Sequence, residues 1–380
     1  MTVNQSGIEP DRITLDSHRK HPEISLERHF RSKFLTTADR VLARKRIYLD
    51  TRFWVLLREV CLGRSTDQQH KQILTQLRRL VAEGKVICPI NADILAELLK
   101  QRDETTRLAT AKLIDELSLG TALQSEDERV GTELMHCVKL ALFGPAPLEP
   151  LERLVWTSPS YVLGSTVLWL KGLPEEELLA WQKAFTDYLW DVSLANQISS
   201  LREIPEELNG RYKTIANTLN HETRKHDLKV LPLTDLHVHE FKGMLGVYAP
   251  KLAEIFVHLH GKGTSTAPPD DGSRSAEGFA GDLIRSLAEA LRKGTLGRQL
   301  PSLIIKSGLH AAVRRNRGKQ LTGNDLHDFG HATAALGYCN YFATDKPLRH
   351  LIVNDLRFDQ RYNTAVVAEA SEFLVLLDQI

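Results

Sequence analysis

Cysteine is scarce in this 380-residue chain: Cys61, Cys88, Cys137 and Cys339 stand far apart, with no CxxC or other ligand-like spacing. That excludes a disulfide-built scaffold and a zinc signature, and the four read as small buried hydrophobes of a protein in a reducing compartment. An excess of one charge is missing too. Forty-nine Lys and Arg oppose 48 Asp and Glu, a net charge of +1, so the whole molecule is no trap for polyanions. No apolar run is long enough to span a bilayer, and 371–377, one of the longest, falls far short. The polar start lacks the apolar segment of a secretory leader. A cytoplasmic protein with no membrane partner is expected. A P-loop is absent, since Gly261-Lys262-Gly263-Thr264 has neither the upstream glycine spacing nor a preceding strand. No solenoid repeat appears either.

What remains is ordinary globular composition, 42% hydrophobic and 26% charged, in a length that allows two or three domains. Residues 1–40 mix Pro, Ser, His and charge without sustained periodicity and read as a basic N-terminal arm. Strands and helices then alternate over 41–120. A short buried strand at 47–50 precedes a helix over 51–61, and a second helix over 67–83 stops at Gly84. A strand over 85–90 leads to a helix over 91–101 that Asn91 can cap, and another helix follows over 104–119. From 121 to 299 no strand is expected. Helices over 132–143, 175–199, 209–225, 235–260 and 276–293 make this block a helical insertion, with a flexible loop at 261–275. The α/β pattern resumes over 300–380, with helices over 301–314, 325–336 (capped by Asn324), 347–353 and 369–377 and strands at 341–344 and 365–368. Alternation of this kind predicts a parallel sheet shared by the two α/β portions.

Acidic residues stand at element boundaries in that frame. Asp50 ends Arg46-Ile47-Tyr48-Leu49-Asp50. Glu97 lies one turn into the helix after Val86-Ile87-Cys88-Pro89-Ile90. Asp328 sits in Asn324-Asp325-Leu326-His327-Asp328-Phe329-Gly330-His331-Ala332, and Asp345 ends Tyr341-Phe342-Ala343-Thr344-Asp345. Carboxylates at the C-terminal ends of parallel strands meet in one crevice. Each also has a plainer use. Asp50 and Asp345 suit caps of the following helices, Glu97 a solvated face, and Asp325 compensation of a helix dipole.

The order Tyr48-Leu49-Asp50, Pro89-Ile90…Glu97-Leu98, Asp328-x-x-His331-Ala332-x-Ala334 and Ala343-Thr344-Asp345-Lys346 resembles the PIN domain nucleases. The resemblance covers about 45–120 and 320–380, and leaves out the arm and the helical block. It implies a three-layer α/β/α sheet domain and a metal-dependent nuclease acting on RNA or single-stranded DNA. It also implies Mg²⁺ or Mn²⁺ as cofactor and a homo-oligomer or protein partner. Two hard divalent ions ~4 Å apart neutralise the attacking and leaving oxygens of a phosphodiester. Asp50, Glu97, Asp328 and Asp345 are the expected ligands, with Asp325 one turn before Asp328 as a further one. Thr344 is expected to orient a ligand or the substrate. Arg314, Arg315, Arg317 and Lys346 are expected to meet phosphates, with Arg211, Lys213, Arg224, Lys225 and Lys229 of the insertion along one wall. The alternative is a PIN-like scaffold that binds nucleic acid or protein without cutting.

Three other motifs compete. His237-Val238-His239 is compatible with a metal pair only on a strand, and is expected at a helix start. His327-Asp328 suits an all-helical phosphohydrolase, which the neighbouring strands oppose. Trp181, Tyr188 and Trp190 are spaced for core packing rather than base stacking.

Overall fold

The computed structural model describes residues 12–145, 148–164, 166–201, 211–225, 231–263, 275–316 and 320–380. Residues 1–11 of the expected arm, 264–274 of the expected loop, Lys229 and Arg317 lie outside the described residues. So do the side chains of Arg211, Arg224 and Lys225.

Two helices, α1 (Arg12–Arg19) and α2 (Leu26–Leu42), precede the sheet. They show that residues 12–40 of the expected basic arm, read without sustained periodicity, are largely helical. Phe30, Phe34, Ala38 and Val41 follow helical spacing. Phe30 packs edge to face on Tyr161, and Phe34 on Trp190. Arg28, His29, Arg31, Lys33 and Arg40 interleave with these positions and mask that stripe in the sequence.

The first α/β portion runs β1 (Lys45–Leu49), α3 (Thr51–Cys61), α4 (Gln68–Ala82), β2 (Val86–Ile87), α5 (Ala92–Leu99) and α6 (Glu104–Ser118). The middle block contains β3 (Ala122–Leu123), α7 (Glu126–Phe143), β4 (Trp156–Thr157), α8 (Glu175–Asp191), α9 (Leu194–Ser200), α10 (Arg211–Lys225), α11 (Leu233–Val247), α12 (Ala249–Gly263) and α13 (Ala276–Arg292). The chain closes with α14 (Pro301–Arg315), α15 (Gly323–Tyr338), β5 (Tyr341–Ala343), α16 (Lys346–His350), a π-helical turn at Leu351–Asp355, α17 (Phe358–Tyr362), β6 (Ala365–Val367) and α18 (Ala370–Asp378). Thr322, not Asn324, caps α15.

Four strands form one all-parallel sheet in the order β2-β1-β5-β6. The fold is therefore mixed α/β, compatible with α/β/α layering. Ile47, Tyr48 and Leu49 are all fully buried, without the alternation of a half-exposed strand, because helices cover both faces. The middle block is not strand-free: β3 and β4 pair antiparallel, and β3 is bridged to Ile90. Two-residue strands are too short to show a period in sequence. The block also shares one continuous hydrophobic cluster with the sheet, running from Ile47 and Leu49 to Phe241, Leu252 and Ile284. Among the described residues no helix is long and apolar enough to cross a membrane.

His237 and His239 lie on α11, where residues two apart point to different sides. His237 donates from Nε2 to the carbonyl of Ile304 at 2.9 Å, while His239 is exposed. Trp190 is buried and donates to Thr37. His237 and His310 give the fold an acid-sensitive seam. Burial pushes His310 down to about 3, helped by the cations Lys306 and Arg314 one turn to either side. Burial likewise pushes His237 down to about 4. Both are neutral in the fold, whereas the unfolded chain takes up these protons near pH 6.5. Stability therefore falls as pH drops below about 6.5. At pH 5 each histidine costs about 2 kcal/mol relative to pH 7. Urea titrations at the two pH values should show His310→Leu losing about 2 kcal/mol less than the parent. Equal losses would refute the assignment.

Candidate functional site

The C-terminal edge of the sheet places the acids. Asp50 follows β1 directly, and its backbone N–H donates to the carbonyl of Ala343 at the end of β5, 3.0 Å away. Its side chain caps α3, Oδ1 accepting from Phe53 N at 3.2 Å. Asp345 stands two residues beyond β5 and caps α16, Oδ1 accepting from Leu348 N at 2.8 Å. β1 and β5 are the central strands, and their connections leave in opposite directions, to β2 on one side and β6 on the other. Asp50 and Asp345 thus share the switch point of the sheet, where ligands of open α/β folds bind. A cap uses one oxygen of each carboxyl, so the plainer role and a site role are compatible. The buried Thr344 hydroxyl hydrogen-bonds Asp50.

Helix α15 lies against β1 and β5 and brings up Asp328. Burial pushes the Asp328 carboxyl up to about 7; the positive His331 opposes this, and the charges of Asp345, Asp50 and Asp325 add to it. Burial pushes Asp50 up to about 6, with His331 and the Phe53 N–H pulling the other way and Asp345 raising it further. The charge of Asp345 thus reaches both Asp50 and Asp328, and that of Asp50 reaches Asp328.

Glu97 has a different setting. It accepts from the Thr51 hydroxyl and from His331 Nε2, the latter at 3.0 Å. It belongs to a ladder between two helices: Asp93 and Glu97 stand four apart on α5, and His327 and His331 stand four apart on α15. The rungs are Asp93 Oδ1 to His327 Nδ1 at 3.2 Å and Glu97 to His331. Lys100 Nζ lies 2.6 Å from His327 Nε2. An ammonium only donates, so Nε2 accepts and the proton of His327 sits on Nδ1, facing Asp93.

His331 is the charged member. Burial disfavours its proton, but the Glu97 hydrogen bond and the charges of Glu97, Asp93 and Asp50 prevail and raise it to about 9. Both ring nitrogens then donate, Nε2 to Glu97 and Nδ1 to the Tyr48 oxygen at 2.8 Å. That leaves the Tyr48 hydrogen for Asn91 Oδ1, also 2.8 Å away. Asn91 Nδ2 continues to Asp93 Oδ2 at 3.0 Å and to the Gly330 carbonyl at 3.3 Å. The insertion joins through Tyr212 on α10, whose hydroxyl donates to Asp93 Oδ1 at 3.1 Å. Burial alone would raise Asp93 and Glu97, yet the hydrogen bonds from His327 and His331 and the charge of His331 hold both below the ordinary carboxylate range.

Of the expected ligands, then, Asp50 and Asp345 stand at the ends of adjacent strands, Asp328 lies on the helix packed against those strands, and Glu97 is attached through His331. Their ligand atoms have not converged: among the described residues, no three of these side chains come within 4.8 Å of one another. Asp325 serves in a capping box, its Oδ2 accepting from Thr322 N at 2.8 Å and from the Thr322 hydroxyl at 2.7 Å. Arg314, expected to meet phosphate, is instead paired with Glu240 on α11. Arg315 is exposed at the end of α14. Lys346 is exposed beside Asp345 and pairs with Glu369. Lys213 is exposed on α10. Asp93, Tyr48 and Tyr212 carry no expected role in the sequence, and Asn91, expected as the cap of α5 and found as such, has this further part in the network. The signal that could have found the ladder is the pair of i,i+4 couples, acidic on one helix and imidazole on the other. The chain matches no family model, no curated protein and no solved structure.

Proposed function

We propose that the protein is a metal-dependent nuclease acting on RNA or single-stranded DNA, with Asp50, Asp328 and Asp345 as the ligands of Mg²⁺ or Mn²⁺. The observation that carries this reading is that Asp50 and Asp345 end the two adjacent central strands at the switch point, with Asp328 on the helix packed against those strands. Hard carboxylate oxygens suit these ions. Burial first and the neighbouring carboxylates second make the charged forms of Asp50 and Asp328 costly, so a cation placed beside them would be favoured. A bound divalent ion supplies charge neutralisation at the scissile phosphate. The chain's own residues do the positioning. The caps on α3 and α16 hold Asp50 and Asp345, and Thr344 steadies Asp50. The Glu97–His331–Tyr48–Asn91 chain braces the wall behind them. Phosphate contact falls to Lys346, Arg349 and His350, which line one cleft and would have to exchange Glu369 and Glu372, paired there with Lys346 and Arg349, for phosphate.

A second reading, a scaffold that binds nucleic acid or a partner protein without cutting, is favoured by the positive His331 among the acids and because, among the described residues, no three of these acids offer ligand atoms within 4.8 Å of one another. Labelled single-stranded RNA and DNA incubated with Mn²⁺, Mg²⁺ or EDTA separate the two. The nuclease requires cleavage in metal that stops in EDTA. Binding without cleavage in either metal selects the scaffold, and cleavage that survives EDTA refutes the metal assignment.

A further inference from the structure

We propose that His18, His29 and Asp187 form a binding site for one divalent transition cation of the zinc type, separate from the carboxylate cluster. Three elements distant in sequence supply it: α1 gives His18, α2 gives His29 and α8 gives Asp187. His18 Nε2 lies 2.7 Å from Asp187 Oδ2, and His29 Nε2 lies 2.9 Å from Asp187 Oδ1. The three ligand atoms all lie within 4.8 Å of one another, the one group of His, Cys, Asp or Glu among the described residues that does so.

Two imidazoles and one carboxylate are the donor set zinc takes in sites that keep a fourth position open. Donors ~2.0–2.1 Å from a tetrahedral ion stand roughly 3.3 Å apart. With Asp187 Oδ2 as the ligand oxygen, its separation from His18 Nε2 therefore needs to widen by about half an ångström, while each residue offers a ligand atom within 4.8 Å of the others'. The two rings meet edge to face with centroids 4.9 Å apart, so both nitrogens reach one carboxylate without stacking. Side-chain exposures of 15%, 13% and 17% leave the site sheltered but reachable.

The frame is independently fixed. Lys183 on α8 is fully buried, and its ammonium donates to the carbonyls of His21 at 2.7 Å and Ile24 at 3.2 Å. That pins the turn between α1 and α2, and with it the two histidines. Lys33 Nζ stands 2.7 Å from Asp187 Oδ1. Its charge opposes any cation. With one carboxylate oxygen on the ion, though, Lys33 can hold the other and orient the ligand, as outer partners of metal sites do. In the competing account these contacts are only a polar staple, like the Arg19–Glu177 pair at 2.6 Å between the same two helices, α1 and α8.

The test uses the full chain, stripped with EDTA and dialysed, then titrated with Zn²⁺ by calorimetry and with Co²⁺ by visible absorption. We expect one ion per chain at this site, with the intense Co²⁺ bands of a low-coordinate centre. His29→Gln and Asp187→Asn should weaken binding at least ~100-fold, the upper end of what loss of a mere outer partner costs. Lys33→Met should bind at least as tightly as the parent. Asp50→Asn should leave this ion untouched, which separates the outcome from that of the nuclease reading. In the parent itself, zinc should protect His18 and His29 from diethylpyrocarbonate, mapped by peptide mass spectrometry. That measurement stands even if a variant does not fold. Modification unchanged by zinc, or a His29→Gln variant that binds like the parent, overturns the site.

Discussion

Asp50→Asn should lower metal-dependent cleavage by at least ~10³-fold, about 4 kcal/mol of barrier, while leaving the fold intact and, without metal, more stable than the parent. The amide keeps the cap on α3, since Asn serves as well as Asp at that position. It removes the negative charge that a cation at the switch point needs. The stability gain follows from the direction in which burial drives this carboxyl. Raised to about 6 from an unfolded value near 3.8, it is costly to ionise in the fold. An acid shifted upward costs nothing below about pH 4, costs progressively more from there to about pH 6, and costs the full difference above that. At pH 7 the burden is up to about 3 kcal/mol. Melts in EDTA should therefore show the variant ahead of the parent at pH 7, with the gap closing towards pH 4. Cleavage at the parental rate in Mg²⁺ or Mn²⁺ would end the proposed mechanism.

The residues at that edge were legible because strand ends announce themselves. An apolar run followed by Asp, then a helical stripe, specifies both the cap and the crevice, and β1 with Asp50 and β5 with Asp345 follow this rule. Helices α3 to α6 carried the same kind of signal. Local reading failed where the partner is remote. Arg314 reads as a free cation in sequence, but Glu240 on another helix occupies it. Asp93 reads as an ordinary first-turn acid of α5, and its burial depends on α15, more than 230 positions away. Helices α1 and α2 were hidden because their apolar stripe is thin and interleaved with Arg, Lys and His. β3 and β4 were hidden because two residues carry no period.

Gly330→Ala should be among the most destabilising single-methyl changes in the chain. A Cβ at Gly330 would stand 2.1 Å from Asp93 Oδ2 and 2.6 Å from its Cγ, closer than non-bonded carbon and oxygen approach. Asp93 has no easy retreat. Its carboxylate is buried and held by His327, Tyr212 and Asn91, and Asn91 is itself bonded to the Gly330 carbonyl. Either α15 moves off α5 or Asp93 rotates and abandons those partners. Overpacking costs about 1–3 kcal/mol, and each lost hydrogen bond to a buried charge about 1.5–3. The helix propensity gained from alanine returns only about 1 kcal/mol. A net loss of ~3–5 kcal/mol in urea unfolding is expected. The cause can be isolated by repeating the change in an Asp93→Ala background. With the carboxylate gone, all three of the nearest obstructing atoms are removed, and Gly330→Ala should cost little. Equal costs in the two backgrounds would show that something other than Asp93 requires glycine there, and that the ladder between α5 and α15 is not the constraint on this close approach.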